Sequence, residues 1–124
     1  MTADPPAATP ARGPLALERM RTRPEFLRAA RARTVRTPGF VLQGRDRGDG
    51  DAVHVGFTCS KKVGNAVARN RAKRRLREVA RMELPDHGRA GWDYVLIGRR
   101  DETAARDFAT LRADLIEALT RLHP

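Results

Sequence analysis

The sequence predicts an α+β fold, a single domain in which helices pack on a sheet as an α/β sandwich. Three observations predict it. The chain has 124 residues, the size of one ordinary domain and long enough to bury a core. Val53, Val55, Phe57 and Cys59 alternate with His54, Gly56 and Thr58, the period of a half-buried strand. Residues 66–83 and 107–122 instead place apolar groups every three to four positions, the period of amphipathic helices.

Taken in order, residues 1–13 carry Pro5, Pro6 and Pro10 among small residues and read as a disordered tail, leaving 14–124 as the domain. Thr22 and Glu25 have capping-box spacing, and Pro24 suits a first turn, so a short helix runs over about 22–32. Arg28, Arg31 and Arg33 form its basic outer side. Pro38-Gly39 breaks the chain, Phe40-Val41-Leu42 reads as a strand, and a further short strand fits Thr34-Val35. The Gly- and Asp-rich run from Gly44 to Asp51 predicts a hairpin turn into the alternating strand at 53–59.

A loop over Ser60–Gly64 leads to Asn65, which can cap the helix at 66–83. Ala68, Ala72, Leu76 and Ala80, with Val79 beside them, make the buried stripe of that helix. The same spacing of four lines up Arg69, Lys73, Arg77 and Arg81, with Asn70, Arg74, Arg71 and Arg75 on adjoining ridges. A loop over Leu84–Gly91 precedes the strand Trp92–Ile97. Asp107 then caps a last helix whose apolar face is Phe108, Leu111, Leu115, Ala118, Leu119 and Leu122. The predicted order is α-β-β-α-β-α.

Charge narrows the function. Lys and Arg number 25 against 15 Asp and Glu, for a net charge of +10. Between Lys61 and Arg81 nine basic residues face Glu78 alone, and between Arg12 and Arg36 eight arginines face only Glu18 and Glu25. So dense an excess on a rigid helix repels itself unless counter-charge arrives, which points to nucleic acid rather than to a solvated face. Lys61 and Lys62 sit just before the helix N-terminus, where backbone N–H groups also favour anions. Asn70 can meet a base edge, a 2′-hydroxyl or a phosphate.

Other classes are excluded on composition. No stretch approaches the roughly 18 apolar residues of a membrane span. The start MTADPPAATPARG lacks a secretory pattern, and Cys59 alone makes no internal disulfide, so the expected compartment is the cytoplasm. Cys59 continues the apolar alternation as a small buried hydrophobe. His54 on the polar face of a strand, His87 in a loop and His123 at a frayed terminus match no metal-ligand spacing. Asp46, Asp49 and Asp51 open like a calcium loop, but Phe57 stands where the last ligand would be. Gly48 and Gly50 lack the third glycine of a dinucleotide fingerprint, Val53 standing in its place. No catalytic residue and no metal ligand is predicted. A helix-turn-helix DNA reader would want a helix, not a strand, before the basic one. A stand-alone nuclease would want a carboxylate cluster or a His pair. A ribosome-associated or other structural RNA-binding protein would share both fold and charge.

The run KKVGNAVARNRAKRRLRE, Lys61 to Glu78, resembles the RNR signature of the protein subunit of bacterial ribonuclease P. Its matching core is Lys61, Lys62, Gly64, Asn65, Ala66, Val67, Arg69-Asn70-Arg71, Lys73, Arg74, Leu76 and Arg77, and a weaker likeness extends over about residues 15–122. The resemblance implies a fold of the ribosomal protein S5 domain 2-like type, with a left-handed crossover at the basic helix. It implies that a large catalytic RNA, using magnesium bound mainly through RNA, removes the 5′ leader of precursor tRNA. The partners it implies are ribonuclease P RNA and precursor tRNA, without membrane or DNA. By position, Lys61, Lys62, Asn65, Arg69, Asn70, Arg71, Lys73, Arg74 and Arg77 would meet RNA, and Phe26, Arg28, Phe40, Val41 and Leu42 would border the leader cleft. Ala30 and Gln43 stand where family members often carry aromatics. Arg28 and Arg31 are expected to offset the lost stacking through phosphate contact.

Overall fold

The computed structural model describes residues 15–48 and 50–123, so the tail expected over residues 1–13 lies outside the described residues. The elements are β1 (Leu17–Arg19), α1 (Arg23–Ala30), β2 (Arg33–Arg36), β3 (Phe40–Asp46), β4 (Val53–Thr58), a 3₁₀ turn (Lys61–Val63), α2 (Ala66–His87), β5 (Trp92–Gly98), α3 (Glu102–Ala105) and α4 (Phe108–Leu122). They build one five-stranded sheet in the order β1-β4-β5-β3-β2. β4 runs parallel to β1 and β5, while β3 is antiparallel to β5 and β2.

The sheet has two unlike faces. Phe40, Leu42, Val53, Val55, Tyr94 and Leu96 meet Leu76, Val79 and Leu84 of α2 and Leu111, Leu115 and Leu119 of α4 in the main core. α1 lies on the opposite face, where Met20, Ala29 and Val95 form a smaller cluster with Phe26 and Ile97. The capping predictions hold. The Glu25 carboxylate accepts from the Thr22 backbone N–H at 2.9 Å and hydroxyl at 3.0 Å, Asn65 Oδ1 from Ala68 N at 2.9 Å, and Asp107 Oδ2 from Thr110 N at 3.2 Å.

Four expectations need correction. β3 and β4 do not form a hairpin, because β5 lies between them. β5 buries Tyr94, Val95 and Leu96 on both faces, which suits a central strand. The connection after β3 is instead fastened to β5 and β4. Arg47 donates to Asp93 Oδ1 at 2.9 Å, to Trp92 O at 3.1 Å and to Ala52 O at 2.7 Å. α2 does not stop before Leu84 but continues to His87 with Pro85 inside it. Leu84 is fully buried and Glu83 bonds Arg112 Nε at 2.5 Å, and this packing outweighs the proline penalty of about 3 kcal/mol. β1 and α3 are additions that no periodicity announced. Finally, His123 is not frayed. Its Nε2 lies 2.6 Å from Tyr94 Oη, and its ring meets Trp92 edge-on at 4.3 Å.

Candidate nucleic-acid interface

The basic run becomes a surface because its apolar residues fix the phase of α2. Ala72, Leu76, Val79 and Ala80 are buried against the sheet. Asn70, Arg71, Arg74 and Arg77 are therefore exposed, and Arg69 and Lys73 lie at the half-buried margin. The turn before α2 is equally fixed. Ser60 Oγ accepts from Lys62 N at 3.3 Å, and Val63 is buried. Gly64 takes φ 145°, and a Cβ there would fall 2.9 Å from Ala68 Cβ. Lys61 and Lys62 are thus exposed on a rigid turn at the head of the helix.

Among the described residues, none of Lys61, Lys62, Arg69, Arg71, Lys73, Arg74 and Arg77 has a carboxylate partner. Glu78, the one acid in the run, pairs with Arg81, whose guanidinium lowers the Glu78 carboxyl pKa. Arg75 is turned to structural use. It donates to Arg106 O and lies 5.6 Å from the centre of the Phe108 ring. Asn65 is divided, since its carbonyl oxygen caps α2 while its amide NH₂ stays on an exposed residue.

The structure brings the second predicted region against the first. A groove of about 530 Å³ runs between the start of α1 and α2, lined by Arg21, Arg23, Phe26, Thr58, Cys59 and Lys73. A neighbouring hollow of about 450 Å³ continues it along β1 past Arg19, Phe57, Arg77 and Arg81. Phe26 sits half-buried at the junction, on Gly56. A Cβ at Gly56 would lie 2.5 Å from Phe26 Cε1. Cys59 is half-buried in the groove wall, and burial raises its thiol pKa. The groove therefore offers cations along both walls with an aromatic ring between them, a combination suited to an unpaired RNA strand.

Not every predicted cleft residue reaches that face. Phe40 and Leu42 are fully buried in the main core, so they do not border an open cleft. Strand alternation puts Val41 and Gln43 on the α1 side instead, with Val41 opposite Ile97. Arg28 is exposed on α1. The groove also uses Arg19, Arg21, Arg23 and Phe57, which the sequence marked only as part of a basic segment and of a strand.

His54, on the polar face of β4, sits among three carboxylates: its Nε2 lies 3.3 Å from Glu18 of β1, and its Nδ1, buried and without a hydrogen bond, lies 3.5 Å from Asp93 of β5 and 3.7 Å from Glu25 of α1. Glu25 already accepts from the Arg21 and Thr22 backbone, which lowers its carboxyl pKa. Asp93, buried, holds Arg45 at 3.4 Å as well as Arg47. Among the described residues, no group of His, Cys, Asp and Glu is arranged to hold a metal ion, and no helix is long and apolar enough to cross a membrane.

Known proteins resemble this chain over most of its length. The Ribonuclease P family model matches residues 16–123. A ribonuclease P protein component from Ruegeria pomeroyi is 60% identical over 106 residues, covering 84% of this chain and 85% of its own length. One from Caulobacter vibrioides is 50% identical over 109 residues, covering 87% and 72%. The solved RNase P protein of Thermotoga maritima superposes with a TM-score of 0.72 at 31% identity, covering 86% of this chain and 99% of that one. The Staphylococcus aureus RNase P protein does so with 0.70 at 26%, covering 85% and 94%.

Proposed function

The chain belongs to the ribonuclease P protein family, as a protein subunit of the ribonuclease that acts in tRNA processing, and on that premise we propose that its two basic regions divide the work of holding RNA. The exposed cations of the 3₁₀ turn and α2 (Lys61, Lys62, Arg69, Arg71, Lys73, Arg74 and Arg77), with Asn65 and Asn70, bind ribonuclease P RNA. Neutralising its phosphates releases counterions, so affinity falls steeply with salt. The groove between α1 and α2 takes the 5′ leader of precursor tRNA. Phe26 stacks on a base, Arg28 meets a phosphate, and Val41 lines the sheet beneath α1.

In this assignment the active site lies in the large RNA, and magnesium is bound there. This chain contributes binding and orientation, which lower the magnesium demand of the complex. Its place is the cytoplasm, with the tRNA precursors. The observation that carries the proposal is the junction of the RNR helix with Phe26. Lys73 and Arg77 share one groove with the α1 aromatic, so one rigid body can hold catalytic RNA and leader side by side.

The test is cleavage of a precursor tRNA at low magnesium by the protein alone, the large RNA alone and the mixture. Cleavage only in the mixture is the expected result. Cleavage by the protein alone would place an active site in this chain. No enhancement in the mixture would favour a structural RNA-binding protein.

A further inference from the structure

His54 takes no part in either RNA-binding region. It lines neither the groove between α1 and α2 nor the neighbouring hollow. It stands two residues before Gly56, the seat of Phe26, on the same face of β4. Its ring lies among carboxylates from three elements: Glu18 of β1 on the Nε2 side, Asp93 of β5 and Glu25 of α1 on the Nδ1 side. Asp93 is 1% exposed and Glu25 19%, so water screens these two only in part, while Glu18 lies mostly in solvent. The cations on this cluster are Arg45 and Arg47, both bound to Asp93. Three carboxylates against two guanidiniums leave it one positive charge short.

A neutral imidazole has one N–H and one lone pair. Either tautomer therefore turns a lone pair toward a carboxylate, from Nε2 toward Glu18 or from Nδ1 toward Asp93 and Glu25. Only the imidazolium presents an N–H on both sides. Glu25 links this choice to the helix. It stands in the first turn of α1, accepts from the Arg21 and Thr22 backbone N–H groups, and directly precedes Phe26. Those donors lower its carboxyl pKa, so it stays an anion in mild acid. The apolar cluster under α1 is small, Met20, Ala29 and Val95 with Phe26 and Ile97, so an ion pair at the first turn weighs heavily in how the helix is seated. We propose that His54 is a positioning residue: by taking up one proton it clamps Glu25, and so sets α1 and the Phe26 ring in place on the sheet. The proposal rests on the leader assignment made above, but concerns how α1 is held rather than what it touches.

The test uses full-length protein assembled with its catalytic RNA. Binding of leader-bearing and leaderless tRNA is compared from about pH 5.5 to about pH 8.5, the range in which histidine titrates, for wild type, His54→Gln and His54→Arg. The ratio of the two affinities is the leader preference, and pH effects common to both RNAs cancel in it. In wild type it should fall about fivefold as pH rises. His54→Gln should keep the low ratio throughout, and His54→Arg, a permanent cation, the high one. The free proteins are melted at the same pH values. The gap in Tm between wild type and His54→Gln should narrow as pH rises, with His123 titrating alike in both. A wild-type leader preference that is flat in pH, or that His54→Gln follows in parallel, would overturn the clamp. So would a Tm gap that does not change with pH. A loss in a folded His54→Arg as deep as in His54→Gln would overturn it too, because a purely steric role predicts that result. A wild-type complex indifferent to the leader at every pH would instead overturn the leader assignment, and the clamp's part in it.

Discussion

Gly56 offers the sharpest test of how the sheet presents its aromatic. A methyl group there would lie 2.5 and 2.6 Å from two carbons of the Phe26 ring and 3.1 Å from the Met20 sulfur. Comfortable carbon contacts begin near 3.5 Å, so in Gly56→Ala the ring must retreat by about 1 Å. Phe26 is held on α1 by the capped first turn and by Ala29 packed below, so the helix must shift with it or the ring must leave its rotamer. Overpacking of this kind costs about 2 kcal/mol, which at this size lowers Tm by roughly 8 °C. The second effect is functional. A displaced ring loses its base contact, and stacking of one base on an aromatic is worth about 1–3 kcal/mol, so affinity for leader-bearing precursor should drop about tenfold. Binding of the catalytic RNA through Lys61, Lys62, Arg71 and Arg74, which do not line the groove, should not change. Melting curves and equilibrium binding of leader-bearing against leaderless tRNA read both effects. An unchanged Tm would refute the steric reasoning. A lowered Tm with unchanged leader preference would refute Phe26 as the platform.

Other perturbations separate the remaining roles. Arg69→Ala with Arg74→Ala should weaken catalytic-RNA binding and shrink its log–log salt slope by roughly 0.7–0.9 per lost phosphate contact, measured by filter binding across a salt series. Asn65→Asp should keep the cap of α2 and the melting temperature but lower RNA affinity, whereas Asn65→Ala should also cost about 1 kcal/mol of stability by denaturant melting. Tyr94→Phe leaves the Arg89 N–H and the His123 ring without their shared hydroxyl and should cost about 1–2 kcal/mol in the same assay. Burial, with Arg89 and Arg33 nearby, lowers the His123 pKa to about 4. The unfolded chain then binds the extra proton between the ordinary value near 6.5 and about 4. Stability should therefore decline as pH falls through that window, and His123→Gln should flatten the decline in urea titrations at stepped pH.

What could be read from the sequence was local chemistry. Thr22 with Glu25, Asn65 and Asp107 each cap a helix through a side chain within three residues, so these starts are visible without tertiary structure. The stripe of Ala72, Leu76, Val79 and Ala80 likewise fixes which α2 cations face outward. The illegible parts depend on partners far along the chain. β1 has three residues and no period, and pairing with β4 alone makes it a strand. The final turn of α2 persists past Pro85 because Leu84 is buried against the sheet and Glu83 meets Arg112. The facing of β3 inverted the expected cleft, because Phe40 and Leu42 belong to the core and Val41 to the α1 side. The groove escaped notice for the same reason, since Arg19 and Phe57 come together with Arg77 only once β1, β4 and α2 are assembled.

The position of β5 also governs how the molecule can be made. Its partners, β3 and β4, leave the ribosome first, each with one edge complementary to a strand not yet synthesised. The whole of α2 separates them from that strand, so the pairings of β5 with β3 close loops of roughly fifty residues, a slow kind of contact to form. Until Gly98 has emerged, the apolar residues of β3 and β4 lack their central neighbour, and the RNR helix has only half a sheet to rest on. The RNA-binding surface is therefore assembled late in synthesis. A nascent chain stopped before Trp92 carries the full cationic run without the scaffold that gives it a shape.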